Sequence, residues 1–277
     1  MLAILIPTFH RYRNLALVTR SMIDQQWEDH PPIFLSGCKE KEDFWLPCSD
    51  ENASWMDAFM EALDELQNRG FTKVYIILDD HPPVRKCHAK HLNKTLPDFL
   101  DEVDATNICL RGVGQSTRVP SFKVSSTSRL APYFRNTDPS YKYIFSLHPS
   151  LWNLERLIGI TRTLRENDAE KSYTAWDLEK RTSTLNAIPE NWKKSTYQVV
   201  GRKLTLHKPL FHLQILLKSS IRVLNLQKNP LFDSLWAYYE GPYPLVFAGV
   251  MYRGKINGSY DNYTTLFRLP KAHKQIS

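Results

Sequence analysis

Three polar side chains in a row, Asp79, Asp80 and His81, follow directly on the apolar run "VYIIL" and are closed off by Pro82 and Pro83. Carboxylates beside an imidazole offer hard oxygen and borderline nitrogen donors, a combination that suits Mn²⁺ or Mg²⁺. If extended backbone continues to residue 81, strand alternation turns Asp79 and His81 the same way and lets them share one cation. The same three residues also suit an ordinary turn after a strand. A second group of chemically capable residues lies near the start of the chain, where Thr8, His10, Arg11 and Arg13 follow "LAILIP". Guanidinium forks match phosphate oxygens. A cationic strand end and an acidic one on a single edge would hold a divalent cation and a diphosphate together.

The elements that must position these residues are legible from pattern. Leu2 to Ile6 is a continuous apolar run halted by Pro7, which reads as a buried strand. Asn14 is placed to cap a helix whose apolar positions are Leu15, Val18, Met22 and Ile23, and Ile33 to Leu35 reads as a second strand. Ser54 with Asp57 resembles a capping box; Trp55, Phe59, Leu63 and Leu66 then share a helical face, and Gly70 ends it. Val74 to Leu78 is the third strand. Strands alternating with helices predict an α/β fold with a mostly parallel central sheet, in which ligands bind beyond the carboxyl ends of the strands. Further along, Ile108 to Leu110 and "YKYIFSL" read as strands. Ser150 reads as the opening of a helix carrying Leu151, Leu154, Leu157 and Ile158. The basic amphipathic segment from Lys208 to Lys228 suits either a core helix or one lying on an anionic membrane surface.

Composition narrows the partners. A net charge of +7 fits nucleic acid, anionic lipid or phosphate-bearing substrates, but no basic run with interleaved aromatics supports nucleic-acid binding. Four cysteines (Cys38, Cys48, Cys87 and Cys109) lack any C-x-x-C pairing and read as reduced thiols rather than a zinc site. No window approaches about 18 consecutive apolar residues, and no basic segment precedes the first apolar run. The expectation is a cytoplasmic protein, with peripheral contact at the inner face of the membrane through residues 208–228.

"ILIPTFHRYRNLALVTRSMIDQQW" resembles the opening of inverting GT-A glycosyltransferases of the family 2 type, which begin with a strand, then P-T-[YF]-N-R, then a helix. "VYIILDDHPP" is similar to their D-x-D strand end. His10 stands where Asn is usual, and His81 takes the third D-x-D position. "FSLHPSLWNLERL" and "YTAWDLEK" resemble the acceptor half of bacterial surface-polysaccharide transferases, with His148 in a Gln position, Trp152 matching, and Trp176 and Glu179 matching W-x-x-E. "YRGKI", Tyr252 to Ile256, is similar to the R-G-K close of that subset.

The resemblance implies a single GT-A domain over 1–277, with a nucleotide-sugar-binding half at 1–110, an acceptor-binding half at 111–277 and a C-terminal acceptor-side helical region. It implies Mn²⁺ or Mg²⁺ held by Asp79 and His81, with Asp80 as the alternative ligand, and a UDP- or GDP-sugar donor met by Pro7, Thr8, Arg11, Arg13, Asp79 and Asp80. His148, Trp152 and Trp176 would face a glycan or lipid-linked acceptor in cell-surface polysaccharide synthesis. Glu179 is the favoured catalytic base, with Asp177 kept open. Two other readings compete. A sugar nucleotidyltransferase needs similar contacts but usually opens with a glycine-rich loop, which is missing after the first strand. A catalytically degenerate GT-A fold kept for binding would accommodate the departures at His10 and His148.

Overall fold

The computed structural model describes residues 1–50, 53–83, 86–110, 121–123, 134–167 and 174–199, with short segments at 238–239, 242–246, 251–252 and 255–256. Strand β1 (Leu2–Pro7) is apolar on both faces and buried from Ala3 onward, as an inner strand must be. It lies between β2 (Ile33–Ser36) and β3 (Lys73–Ile76), parallel to both. Helix α1 (Arg13–Gln26) links β1 to β2, and α2 (Trp55–Asn68) links β2 to β3.

The two helices start differently. In α2 the Ser54 hydroxyl accepts the Asp57 backbone N–H at 3.2 Å and donates to the Asp57 carboxylate at 2.6 Å. Its far end closes with Gly70 at φ +82. There Gly70 N–H donates to Gln67 and Phe71 N–H to Leu66, a Schellman pair of bonds. Asn14, by contrast, does not cap α1. A single 3₁₀ turn at His10–Tyr12 starts the coil early, so Arg13 is already helical, Tyr12 is the cap residue, and no side-chain bond forms there.

Among the described residues the main sheet has eight strands in the order β2-β1-β3-β7-β4-β8-β6-β5. The added strands are β4 (Asn107–Cys109), β5 (Ser121–Lys123), β6 (Phe134–Thr137), β7 (Ser150–Asn153) and β8 (Thr196–Val199). The sheet is mixed. β4 and β8 are parallel, but β7 runs antiparallel to both β3 and β4, and β6 runs antiparallel to β5 and β8. The expected mostly parallel arrangement therefore holds for β2-β1-β3 and is interrupted by β7.

That interruption corrects two sequence expectations. "YKYIFSL" is not a strand: it coils through turns closed by Tyr141 N–H to Asp138 and Ile144 N–H to Tyr141. Ser150 does not open a helix; Ser150–Asn153 is the strand, and helix α4 (Leu154–Asn167) follows it. Leu151 packs on one side of the sheet and Trp152 on the other, so the segment is buried on both faces. The cap is Asn153, whose side-chain oxygen accepts the Arg156 N–H at 3.2 Å.

Two apolar clusters sandwich the sheet. One joins Ile4, Ile6, Tyr75, Ile108 and Leu151 to α1 and to α3 (Leu96–Glu102). The other joins Ala3, Leu5, Val74, Ile76 and Trp152 to α2, α4 and Leu178 of α5 (Ala175–Arg181). Among the described residues no helix is long and apolar enough to cross a membrane. The segment 208–228, and with it the expected C-terminal helical region, lies outside them.

Candidate functional site at the carboxyl ends of β1 and β3

The connection from β1 to β2 goes to one side of β1, and the next strand, β3, pairs on its other side. Helices α1 and α2 consequently lie on opposite faces, and the winding reverses between β1 and β3, whose carboxyl ends mark the place where open α/β sheets bind ligands. Pro7 ends β1 inside the core, and Thr8, also buried, is the first residue past it. The Thr8 hydroxyl donates to Asp79 Oδ2 at 2.5 Å, which ties the chain past one strand end to the chain past the other. From α1 the Thr19 hydroxyl donates to the Asp79 carbonyl. The loop leaving β2 crosses this point at Gly37, where φ is +88 and a Cβ would lie 2.2 Å from the Thr8 carbonyl oxygen. Only glycine fits there.

Asp79, Asp80 and His81 do not continue the strand. His81 N–H donates to Leu78 O at 3.0 Å, so the chain turns tightly and the expected alternation of 79 and 81 is lost. The turn separates their duties. Asp79 faces Thr8. His81 is buried, and its Nδ1–H donates to Asp80 Oδ1 at 2.6 Å. Its carbonyl accepts the Tyr243 hydroxyl at 2.9 Å. Burial pushes the Asp79 carboxyl up to about 7, the adjacent Asp80 charge adds to this, and the Thr8 hydrogen bond opposes it.

This donor set fits a divalent cation in chemical type. A carboxylate stands beside an imidazole whose Nδ1 is oriented by a second carboxylate, the arrangement that commonly fixes a ligating histidine. Among the described residues no three His, Cys, Asp or Glu side chains gather into a complete protein ligand set. A cation here would need oxygens from its ligand.

A distant part of the chain reaches the same edge. The His148 ring meets the His81 ring edge-on, with centroids 4.9 Å apart. Just before it, Ser146 Oγ–H and Leu147 N–H both donate to Glu179 Oε1, at 2.9 and 2.7 Å. Glu179 is 8 % exposed on α5 and so is pinned to the loop that carries His148. The sequence-predicted residues Thr8, Asp79, Asp80, His81, His148 and Glu179 thus form one connected group.

Others take different places. Trp152 is wholly buried in β7, its Nε1–H donating to Ser150 Oγ at 2.8 Å, so it is a core residue and not an acceptor wall. Asp177 caps α5: its carboxylate accepts the Thr174 N–H at 3.0 Å and hydroxyl at 2.7 Å, a structural role that removes it as a base candidate. Burial would raise the Asp177 carboxyl, but the Thr174 bonds and the Arg181 and Lys180 charges outweigh it and hold it low. Arg13 is paired with Glu40, while the exposed Arg11 guanidinium lies over the Phe9 and Tyr12 rings. Trp176 is 62 % exposed, with the Lys180 ammonium 4.8 Å from its ring centre. Lys255 begins a short hairpin strand paired with Met251–Tyr252, and Arg253 lies outside the described residues.

Neither a protein-family model nor a curated protein matches the chain. Sequence reasoning missed four contributors: Thr19, Gly37, Ser146 and Tyr243. Thr19 was detectable as a hydroxyl set in the apolar stripe of α1 between Ala16 and Ile23. Tyr243 had no such signal, because its partner is a backbone carbonyl 162 positions away.

Proposed function

We propose that the chain is a GT-A-type glycosyltransferase, inverting and metal-dependent, that moves a sugar from a UDP- or GDP-sugar to a glycan or lipid-linked acceptor. The observation that carries this reading is the connected group itself. The Asp79 carboxylate past the end of β3 accepts a hydrogen bond from Thr8 past the end of β1, and through His81 and His148 the same turn adjoins the loop that is bonded to a buried glutamate. A donor site and an acceptor base are required to meet in this way.

In this reading Thr8 and the exposed Arg11 contact the donor diphosphate, and Asp80 orients His81. Asp79 and His81 would hold Mn²⁺ or Mg²⁺, which when bound neutralises charge developing on the departing diphosphate. Glu179 accepts the proton of the attacking acceptor hydroxyl, its carboxylate orientation fixed by Ser146 and Leu147. Trp176 offers an exposed aromatic face to an acceptor sugar ring. The basic balance of the chain suits phosphate-bearing substrates.

Release of nucleoside diphosphate from UDP- and GDP-sugars with Mn²⁺ and a glycan panel tests the reading. Expected is release from at least one donor, reduced roughly 100-fold or more in Glu179→Gln. No release from any donor would count against a transferase. One observation favours a binding-only fold: Glu179 and Arg13 both spend their charge on internal partners. Glycan binding without any donor turnover would select that alternative.

A further inference from the structure

The turn at Asp79–His81 is held by its backbone as well as by its side chains. The Thr19 hydroxyl of α1 donates to the Asp79 carbonyl, and the Tyr243 hydroxyl donates to the His81 carbonyl at 2.9 Å. Tyr243 comes from the far end of the chain. It lies in the connection of a short antiparallel hairpin in which Tyr238–Tyr239 pairs with Leu245–Val246. Pro242 and Pro244 flank it, and all three residues are buried. A proline on each side restricts the backbone before it packs, so less freedom is lost when this tip docks. The tip makes two further contacts. The Pro242 carbonyl accepts the His88 N–H at 2.9 Å, and the Tyr243 ring meets the Trp27 ring edge-on, with centroids 6.2 Å apart. Trp27 is itself fixed, its Nε1–H donating to Asn93 Oδ1 at 2.7 Å.

We infer that Tyr243 is a positioning residue for the site, and that through it the hairpin tip sets the direction of the Asp79 and His81 side chains. The inference rests on the transferase reading only for what the turn holds, a divalent cation and a nucleoside diphosphate. A phenol that reaches a carbonyl in a turn restrains the peptide plane on which the neighbouring side chains are mounted. The turn's own bond, from His81 N–H to Leu78 O, is thus supplemented from outside by two hydroxyls. These fix the backbone without drawing on the carboxylate or the imidazole. Asp79 then keeps its orientation toward Thr8, and His81 toward Asp80 and the His148 ring. Binding groups must be held within about 0.5 Å of their working geometry, which requires restraint of this kind from the surrounding residues. Tyr75 supplies the contrast. Its hydroxyl donates to the Leu92 carbonyl at 2.7 Å and its ring also meets Trp27 edge-on, at 5.1 Å. It makes the same kind of bond in the same aromatic cluster, but to a carbonyl outside the turn.

Tyr243→Phe and Tyr75→Phe, each made in the full chain, remove one buried hydroxyl and keep its ring. Two measurements compare them with wild type: hydrogen exchange of the His81 amide, and calorimetric titration of UDP and GDP in the presence of Mn²⁺. Expected in Tyr243→Phe is roughly ten-fold faster exchange at His81 and roughly ten-fold weaker nucleotide binding. Tyr75→Phe should change neither, although it gives up a bond of the same type. Unchanged exchange at His81 in Tyr243→Phe would overturn the inference. So would an equal loss of nucleotide binding in both variants, which is the mark of a merely structural role. Nucleotide binding that Tyr243→Phe leaves as in wild type would keep the donor site and also overturn the inference. Faster His81 exchange in Tyr243→Phe alone, with no nucleotide bound by wild type, would uphold the positioning of the turn and remove the donor reading.

Discussion

The two halves of the sheet handle polarity in opposite ways. In β2-β1-β3 the buried strand residues are almost wholly apolar, from Ala3 to Ile6 and Val74 to Ile76, and chemistry begins only past the strand ends at Thr8 and Asp79. In β7-β4-β8 the strands themselves bury Ser150, Asn107, Thr196 and Gln198. Ser150 and Thr196 are satisfied, through Ser146 O at 3.2 Å and Lys193 O at 3.1 Å. The amide nitrogens of Asn107 and Gln198 have no hydrogen-bond partner among the described residues. An apolar half-sheet is a rigid platform that presents groups at its rim. The other half sets polar side chains inside its strands, where each is costly to bury unless it is hydrogen-bonded. The comparison teaches that in the first half polar groups follow from strand ends, whereas in the second they lie within the strands themselves.

Removing the residue that joins the halves should have the largest effect. Trp152 lies opposite Val74 on one side and Asn107 on the other. Trp152→Ala should cost about 3–5 kcal/mol in urea denaturation, and a variant of normal stability would return Trp152 to the acceptor site. Glu179→Ala strands the Ser146 hydroxyl and Leu147 N–H and should cost about 1–3 kcal/mol by the same assay. Little loss would mean the loop is not anchored by that carboxylate. Gly37→Ala forces a Cβ against the Thr8 carbonyl at positive φ. It should cost about 1–3 kcal/mol in the same assay and weaken nucleotide binding at the proposed donor site; an unchanged stability would mean that the loop gives way at Gly37.

A smaller effect is expected for Asp79→Asn, and here the sign matters. The native carboxyl titrates at about 7 against an ordinary value of 3.8, so the folded state binds its proton more tightly than the unfolded one. Wild-type stability should then fall as pH rises between about 4 and 7. The ligand-free asparagine variant should melt above wild type at pH 8 and match it near pH 4, with the gap reduced by the residue's partial exposure. A gap of the opposite sign would remove the burial account of Asp79. Smallest is Trp176→Ala, which should shift stability by no more than about 0.5 kcal/mol while weakening glycan retention in affinity electrophoresis.

The same contrast explains what the sequence disclosed. Continuous apolar runs with proline stops gave β1 and β3, and the Ser54–Asp57 and Gly70 signals gave both ends of α2. Asp79 and Thr8 were legible because topology alone sends strand ends to one edge. The antiparallel β7 was not, because "SLWN" runs straight into a helical pattern and three consecutive buried residues have no distinguishing period. Trp152 matched a motif position and Asp177 stood as a second base candidate beside Glu179, but burial and a capping bond decided their roles, and both are properties of packing that no local spacing encodes.

The most direct test of the central claim is calorimetric titration of UDP and GDP, with and without Mn²⁺, into wild type and Asp79→Ala. Expected is Mn²⁺-dependent binding of one nucleotide by wild type that is lost in the variant. Binding that ignores both the metal and Asp79, or no binding of either nucleotide under any condition, would contradict a donor site at the carboxyl ends of β1 and β3.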